Sequence, residues 1–448
     1  MGKRFLFTAW QFPGHVFPLI AKAHALRELG HECAFYTGGA NVATVREEGF
    51  ECFTFRHVDE ARIDRLMSER PAEPWRPSQV PRLAQLMRRW LLETLPDQVR
   101  DLDAVVASWR PDVVGADLAL FAPFLVLAEK HRLPVAVCSS ILFYPLPGPG
   151  VPPMGPGLPR ARPSALTSRL VRLGSRLTGR LARRHANRVR AQNGLAPIPM
   201  SPQDYTAEMP LYLIPSIREL DYDRRDTPPH VHYIGPCLFN KPRTQAATPW
   251  LSELRRDVPW VHVTEGTTHI HKPLVLQAAL GGLGGLPIQV VATTGGARTV
   301  AELGLSAVPE NVRLEKWVAH SDLLPLTDVV VTTGGAGTIM AALAAGVPLV
   351  LVPTEWDKPE SAQRVVEAGV GVRLAPRDCT PESLRACVET VLRVPSYRAN
   401  AKRMAGVIAG YGGARRGAEL LAELGERGYR DRAESVRRKP STRSTFGP

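Results

Sequence analysis

The sequence predicts an α/β protein with mostly parallel sheets. Short apolar strands alternate with amphipathic helical stretches along nearly the whole chain, which is the pattern of layered α/β domains. The length of 448 residues is enough for about two or three such domains. The composition, 44% hydrophobic and 22% charged, is that of a globular chain and excludes a disordered, collagen-like or coiled-coil protein.

The first half of the chain opens with a predicted βαβ unit. Residues 4–10 form a strand, 11–18 a loop, 19–29 a helix and 32–36 a second strand. Gly30 ends the helix, because glycine readily adopts the left-handed conformation common at helix ends. Two further strands are predicted in this half, at residues 112–116 and 134–138.

The second half continues the alternation of strands and helices. Five strands are predicted in it, at residues 260–263, 288–292, 312–315, 328–332 and 348–352. Residues 240–250 have no hydrophobic periodicity and include two prolines, so we place the domain linker there. The predicted division is an N-terminal domain over 1–239, this linker, a C-terminal domain over 251–426 and a basic, disordered tail over 427–448.

Cysteine spacing and hydropathy restrict the cellular setting. The six cysteines are scattered without a CxxC pair, so we expect reduced thiols in place of a disulfide or zinc framework. The first residues lack the apolar core of a signal peptide, and no apolar run is long enough to span a bilayer. We therefore expect a cytoplasmic protein.

The formal net charge is +13, and the excess of arginine is concentrated in residues 160–190 and in the tail. We interpret this charge as a solvated helix face and a loose tail, and binding to an anionic membrane surface is the alternative. No zinc-knuckle spacing or aromatic-studded strand accompanies the charge, so we expect no nucleic-acid partner. The sequence leaves the oligomeric state open.

A glycine-rich turn in the second half is the clearest candidate site. The predicted strand 328–332 runs through Thr333 into the turn GGAGT at 334–338 and a helix, and the next strand is followed by Asp357 and Lys358. The carboxyl ends of parallel strands lie at one edge of a sheet, so both segments project into one crevice. Glycine amides and the positive end of a helix favour an anion there, and a phosphate is the usual one. Three more side chains follow predicted strands at this edge: Thr267, Thr268 and Trp317. A P-loop is absent, which argues against kinases and ATPases.

Two segments carry a family resemblance. One runs from Trp317 and Val318 through GGAGT and the GVP at 346–348 to Asp357 and the following AQRVVEAGVG, and the other is FPGHVFPLIAKAHALRELGHE near the amino terminus. They resemble the nucleotide-sugar-dependent glycosyltransferases of the UDP-glycosyltransferase superfamily, above all actinobacterial enzymes that decorate antibiotics. The resemblance spans residues 3–425. It implies the GT-B fold, in which two Rossmann-like domains face each other across a cleft.

The resemblance also implies roles for individual residues of the second half. Trp317, with Val318 after it, would stack on the nucleobase, and Asp357 would bind sugar hydroxyls. The diphosphate would be held by the glycine-rich turn and by a facing loop, through Gly334, Gly335, Gly337, Thr338, Thr267 and Thr268. We expect no metal and no resident cofactor, because fixed dipoles at the helix start meet the leaving-group charge and the nucleotide sugar is a co-substrate.

In the first half, His15 matches the general base of the family and Asp117 the carboxylate that orients it. A neutral imidazole takes the acceptor proton during attack, and a carboxylate on its other nitrogen fixes the tautomer and stabilises the imidazolium. Attack opposite the leaving group would invert the anomeric centre. Without the resemblance, His15 is also explained as a residue capping a helix that starts at Pro18, and Asp117 as a cap at a strand end.

Three positions depart from the family pattern. Thr333 replaces the usual histidine before the turn; we count it among the donor-binding residues, since threonine can also donate a hydrogen bond, although it reaches less far and cannot become cationic. Lys358 replaces the usual amide after Asp357, and Ala341 stands where plant members place an acidic residue for the ribose. We expect Lys358 to replace part of the missing phosphate contact or to recognise an acidic sugar, the alternative being a solvated lysine. Asp221 begins a DxD pattern like that of metal-dependent transferases, but it does not end a strand, so we expect no metal there.

The sequence therefore predicts an inverting, metal-independent glycosyltransferase that moves a sugar from a UDP or TDP donor to a hydroxyl of a small apolar natural product. Its acceptor pocket is expected around residues 75–90, 121–124 and 143–153, where aromatic and apolar side chains concentrate. Three alternatives stay open: a catalytically weak GT-B partner protein, favoured by Thr333; a nucleotide-sugar epimerase; and transfer to a membrane lipid. The donor sugar, the acceptor and the linkage are left open.

Overall fold

The computed structural model describes residues 2–69, 79–160, 165–239, 249–266, 273–295 and 308–429. Within these ranges the strands form two parallel sheets, one in each half of the chain, which confirms the predicted α/β class. Residues 240–248 of the expected linker and 430–448 of the expected tail lie outside the described residues.

The first sheet has seven strands: β1 (Arg4–Thr8), β2 (Glu32–Thr37), β3 (Glu51–Thr54), β4 (Val113–Asp117), β5 (Val135–Cys138), β6 (Leu211–Ile214) and β7 (Val231–Tyr233). Their spatial order is β3-β2-β1-β4-β5-β6-β7, and every neighbouring pair is parallel. The order reverses between β1 and β4, and such a switch point opens a crevice at the carboxyl ends of the strands.

In the described residues of the first half, eight α-helices flank this sheet: α1 (Pro13–Glu28), α2 (Asn41–Glu47), α3 (Glu60–Ser68), α4 (Val80–Met87), α5 (Leu95–Trp109), α6 (Ala128–Lys130), α7 (Ala165–Gln192) and α8 (Pro202–Ala207). Two short π-helical turns, Arg88–Leu92 and Pro123–Leu127, follow α4 and precede α6. Both faces of the sheet are covered. Leu6 of β1 belongs to one apolar cluster, and its neighbours Phe5 and Phe7 belong to another. This follows from the alternation of side chains along a strand, and it explains why these strands are continuously apolar in sequence.

The helix after β1 begins earlier than predicted. We expected a loop over residues 11–18 and a helix from Leu19, whereas α1 starts at Pro13 and already contains His15. Proline is tolerated in the first turn of a helix, since the amide hydrogen it lacks has no intrahelical partner there. Pro18 also lies inside α1, and the ammonium group of Lys22 donates to its carbonyl over 3.0 Å.

The second sheet has six strands: β8 (Trp260–Thr264), β9 (Gln289–Thr293), β10 (Val312–Glu315), β11 (Val329–Thr332), β12 (Leu349–Leu351) and β13 (Gly371–Arg373). Their order is β10-β9-β8-β11-β12-β13, again with parallel pairs throughout. The switch point lies between β8 and β11. The helices of this half are α9 (Leu274–Leu283), α10 (His320–Leu323), α11 (Ala336–Ala344), α12 (Lys358–Glu367), α13 (Pro381–Arg393), α14 (Pro395–Ala409) and α15 (Gly413–Arg427).

The last helix, α15, packs on the first half of the chain. Its buried Ala418, Leu421 and Leu424 join the apolar cluster that contains Phe5 and Ile20. We expected this helix in the C-terminal domain over 251–426, whereas its buried side chains pack in the first lobe. The amphipathic pattern of α15 required an apolar surface to bury against but did not specify which sheet would provide it.

The two lobes are in direct contact through buried apolar side chains. Leu142, Phe143 and Leu220 of the first half share an apolar cluster with Ile339 and Leu351 of the second half.

The arginine-rich stretch forms α7, and its side chains from Leu173 to Thr178 are all exposed. Three leucines four residues apart, Leu173, Leu177 and Leu181, lie among the exposed residues. In the part of the chain that the structure describes, no helix combines the length and the apolar character needed to cross a bilayer.

Candidate active site

An imidazole–carboxylate pair lies at the switch point of the first sheet. His15 lies in the first turn of α1, directly after β1, and Asp117 is the last residue of β4. Nδ1 of His15 is 2.7 Å from Oδ2 of Asp117. The Asp117 side chain is fully buried, whereas that of His15 keeps 22% of its surface exposed. Because Nδ1 donates to the carboxylate, Nε2 carries the free lone pair and can accept a proton.

The surroundings of His15 favour its protonated form. Burial alone lowers the pKa of this imidazole, but the charge of Asp117, its hydrogen bond and the charge of Asp357 outweigh burial, so the pKa lies above the ordinary value of 6.5. The imidazolium that forms when His15 accepts a proton is therefore stabilised by its surroundings.

The glycine-rich turn lies at the switch point of the second sheet. It connects β11 to α11, with Gly334 in the left-handed region at φ +91° and Gly335 as the residue before the helix. No side chain caps α11, and its first turn has no acidic residue. No heavy atom of the described residues lies within 4 Å of a methyl group placed on the α-carbon of Gly335 or Gly337. The amides at the positive end of α11 therefore face open space, as an anion-binding helix start requires.

The hydroxyl of Thr333 makes a contact within the second lobe. It is buried and donates to the carbonyl of Glu265, just after β8, over 3.1 Å. A hydroxyl has one proton to donate, so in this geometry Thr333 joins the loops that follow β8 and β11. Thr267 and Thr268, which follow Glu265 in the chain, lie outside the described residues.

Lys358 lies beside the glycine-rich turn. Its Cβ is 3.6 Å from a methyl group placed on Gly334, so the two segments share one crevice, as expected from parallel strands. Its ammonium group contacts Oγ1 of Thr354 at 3.2 Å and Oε1 of the buried Glu355 at 3.3 Å. Lys358 is therefore held by a local ion pair and is not the fully solvated lysine of the alternative interpretation.

Trp317 and Val318 follow β10 at the same edge. The indole of Trp317 is 47% exposed, whereas Val318 is buried in a cluster with Trp260 and Leu323. A large aromatic ring that is held by a buried neighbour and open on one side is a suitable surface for a base to stack on.

The two switch points face each other. Asp357, from the loop after β12, lies close enough to His15 for each charge to shift the pKa of the other, and burial is the main cause that raises the pKa of Asp357. Trp356, in the left-handed region at φ +54°, packs against Trp90 of the first lobe with ring centroids 5.4 Å apart. We had not singled out Trp356 from the sequence, because its role depends on the docking of the lobes.

Asp221, the first residue of the DxD pattern, pairs with other groups of the protein. Its Oδ1 accepts from Nε of Arg364 over 2.8 Å, and its Oδ2 accepts from the amide of Tyr144 over 3.1 Å. Among the described residues, no three His, Cys, Asp or Glu side chains form a group that could hold a metal ion.

Comparisons with known proteins agree with this geometry. Residues 278–411 match the family described as the erythromycin biosynthesis protein CIII-like C-terminal domain. The chain is 33% identical over 417 residues to 4'-demethylrebeccamycin synthase of Lentzea aerocolonigenes, covering 90% of this chain and 95% of the relative. It is 27% identical over 413 residues to demethyllactenocin mycarosyltransferase of Streptomyces fradiae, covering 92% of this chain and 84% of the relative.

Solved structures share the two-lobed fold. The calicheamicin glycosyltransferase CalG4 superposes with a TM-score of 0.71 at 22% identity, over 95% of this chain and 99% of that one. The glycosyltransferase VinC, solved in complex with dTDP, gives a TM-score of 0.68 at 23% identity, over 95% of this chain and 100% of that one. The fold is thus GT-B, and the chain belongs to the antibiotic-pathway glycosyltransferases of the UDP-glycosyltransferase superfamily.

Proposed function

We propose that this glycosyltransferase moves a sugar from a nucleoside diphosphate to a hydroxyl group of a small apolar natural product, with inversion of the anomeric centre and without a metal ion. The observation that carries the proposal is the 2.7 Å contact between His15 and Asp117 at the crevice of the first lobe, together with the packing of Trp356, which precedes Asp357, against Trp90 of that lobe. The names of the relatives, a synthase and a mycarosyltransferase of antibiotic pathways, support the same class of reaction.

The donor binds to the second lobe in this proposal. The diphosphate accepts hydrogen bonds from the amides at the start of α11 and from the Thr338 hydroxyl, the base stacks on Trp317, and Asp357 accepts from sugar hydroxyls. The open space around Gly335 and Gly337 supports this arrangement, because a phosphate must approach the backbone closely. Thymidine diphosphate is a natural candidate, since two of the structural neighbours were solved with it.

Transfer is then a single displacement. The acceptor oxygen attacks the anomeric carbon while its proton passes to Nε2 of His15, and Asp117 stabilises the imidazolium that forms. The bond from the anomeric carbon to the diphosphate oxygen breaks, and the released charge is met by the fixed amide dipoles of α11. Attack from the face opposite the leaving group inverts the configuration.

The surroundings of His15 suit an apolar acceptor. The Phe12 ring is 5.6 Å from the imidazole and 5.9 Å from the Trp90 ring, which in turn contacts Trp356. Pockets for small molecules are commonly lined by aromatic and apolar side chains with a few polar groups. An acceptor hydroxyl that reaches Nε2 of His15 would place its apolar body beside these rings.

The proposal is tested by a two-step screen. A panel of UDP and TDP sugars is first ranked by thermal shift, because a ligand that binds only the native state raises its melting temperature. The best donor is then incubated with and without apolar alcohols. Release of nucleoside diphosphate that requires the alcohol, with an inverted glycoside as product, supports the proposal. Release or sugar isomerisation that does not depend on an alcohol contradicts it.

A further inference from the structure

The helix that follows the sugar-binding position has a charged face that is buried. Glu360 and Arg364, one turn apart on α12, are 1% and 3% exposed. Burial of charged groups is unfavourable unless they are paired and fully hydrogen-bonded. Their partners therefore determine what this face does.

Arg364 joins α12 to the first lobe. Its Nε donates to Oδ1 of Asp221 over 2.8 Å, and its Nη1 donates to Oε2 of Glu360 over 2.9 Å. Its guanidinium also lies over the rings of Phe143 and Tyr222, at 3.9 and 4.2 Å from their centroids. Asp221, Phe143 and Tyr222 all belong to the first lobe, so this one side chain bridges the two lobes.

Glu360 holds the loop between β5 and α7, here called the connecting loop (residues 143–160). Its Oε1 accepts from the amides of Gly155 and Gly157 over 2.9 and 3.0 Å. Arg373 of β13 holds the same segment, donating to the carbonyls of Gly157 and Pro156 over 2.8 and 3.1 Å. Residues 143–153 of this loop are those expected to line the acceptor pocket.

We propose that Glu360 and Arg364 are positioning residues that lock α12 to the connecting loop and so fix Asp357 and Lys358 relative to His15. This inference rests on the proposed function. Neither side chain touches the reacting atoms. Their contacts are directional bonds to specific backbone and carboxylate atoms of the other lobe, so they set the distance between donor and acceptor sites as well as the shape of the acceptor side.

The chain offers a matched control. Arg190 is 2% exposed and makes a bidentate ion pair with Glu129 over 3.0 and 2.8 Å, and it also donates to the carbonyls of Leu125 and Ala196 in the same lobe. Arg364→Lys and Arg190→Lys each keep the charge but lose the planar fork of donors. Glu360→Ala removes the acceptor for the two glycine amides, and Glu360→Gln keeps one oxygen that can accept from them.

Three properties are measured on the full chain: thermal stability, the dissociation constant for UDP or dTDP, and transfer kinetics per nucleotide-binding site. We expect all variants to lose stability and to bind the nucleotide within twofold of wild type. Arg364→Lys and Glu360→Ala lower kcat at least tenfold and raise the acceptor KM, whereas Arg190→Lys keeps both within twofold. Glu360→Gln keeps kcat and the acceptor KM closer to the wild-type values than Glu360→Ala does. Hydrogen exchange at the amides of Gly155 and Gly157 is faster in Glu360→Ala.

A merely structural role gives a different result. Arg364→Lys would then match Arg190→Lys in kcat and KM at a similar loss of stability, and the proposal would be wrong. Unchanged hydrogen exchange at Gly155 and Gly157 in Glu360→Ala would show, without any activity measurement, that Glu360 does not hold the connecting loop. Absence of transfer by the wild-type enzyme would instead overturn the proposed function, so the two failures are distinguishable.

Discussion

Nδ1 of His15 lies 2.7 Å from Oδ2 of Asp117, and the two residues come from the strand ends on either side of the first switch point. This contact fixes which imidazole nitrogen can take the acceptor proton. It also predicts a pH dependence, because only the neutral imidazole acts as a base.

The acid limb of kcat/KM is expected above pH 6.5, since the pKa of His15 is raised. Activity falls as the pH drops through this pKa. In Asp117→Asn the attraction of the carboxylate is lost, so the acid limb moves to lower pH, and the plateau falls by about 10²-fold or more because the imidazolium is no longer stabilised. A pH profile of both forms is the measurement. An acid limb that stays in place in Asp117→Asn would rule out this pair as the titrating unit.

Gly337→Ala is expected to weaken donor binding without loss of stability. The added methyl group meets none of the protein atoms that the structure describes, and alanine favours a helix over glycine by up to about 1 kcal/mol, yet the methyl occupies space that the diphosphate needs. Calorimetry with UDP and dTDP should show at least a tenfold loss of affinity. Gly346→Ala is the control: at φ +69° and 3.3 Å from the Lys402 side chain it loses about 1 kcal/mol of stability but keeps the nucleotide affinity. If Gly337→Ala bound the nucleotides as tightly as Gly346→Ala does, the proposed phosphate site would be wrong.

Trp317→Ala is expected to weaken binding of the nucleotide. The indole is half exposed, so its removal changes the melting temperature little, whereas loss of base stacking lowers the affinity about tenfold or more. Ribose-free pyrophosphate distinguishes the cause, because its affinity should be unaffected. An unchanged nucleotide affinity would show that the base binds elsewhere.

Lys358→Gln separates two roles of the lysine. If the ammonium group contacts the phosphate, this variant loses affinity for nucleoside diphosphate and for nucleotide sugar alike. If it recognises an acidic sugar, only the complete donor is affected. The ion pair with Glu355 holds the lysine at the crevice in either case. If donor affinity and turnover were unchanged in Lys358→Gln, both proposed roles of the lysine would be wrong.

The sequence predicted the central strands of each sheet and the edge strand β10, but it missed β3, β6, β7 and β13, which lie at or next to the sheet edges. β6, β7 and β13 have only three or four residues, too few for a hydrophobic period to be recognised, and β13 is stabilised by its ladder with β12. The central strands were predictable because they are buried on both faces and so read as continuous apolar runs.

In the candidate site, contacts within one sheet could be predicted from the sequence, whereas contacts between the lobes could not. His15 and Asp117, 102 residues apart, were expected to meet because one follows and the other ends a strand of the same parallel sheet. The bond between Arg364 and Asp221 spans 143 residues and crosses from one lobe to the other. Its formation depends on how the lobes dock, which neither periodicity nor motif spacing expresses. The hydroxyl contact of Thr333 with Glu265 was missed for a related reason, since a threonine carries no sequence signal for its partner.

The most direct test of the account compares His15→Ala with the wild type in transfer and in nucleotide binding. We predict that His15→Ala binds UDP or dTDP with wild-type affinity and keeps its melting temperature within a few degrees, while acceptor-dependent release of the nucleotide falls by about 10²–10⁴-fold. Transfer at the wild-type rate in this variant would contradict the assignment of the base, and loss of nucleotide binding would contradict the separation of the two sites.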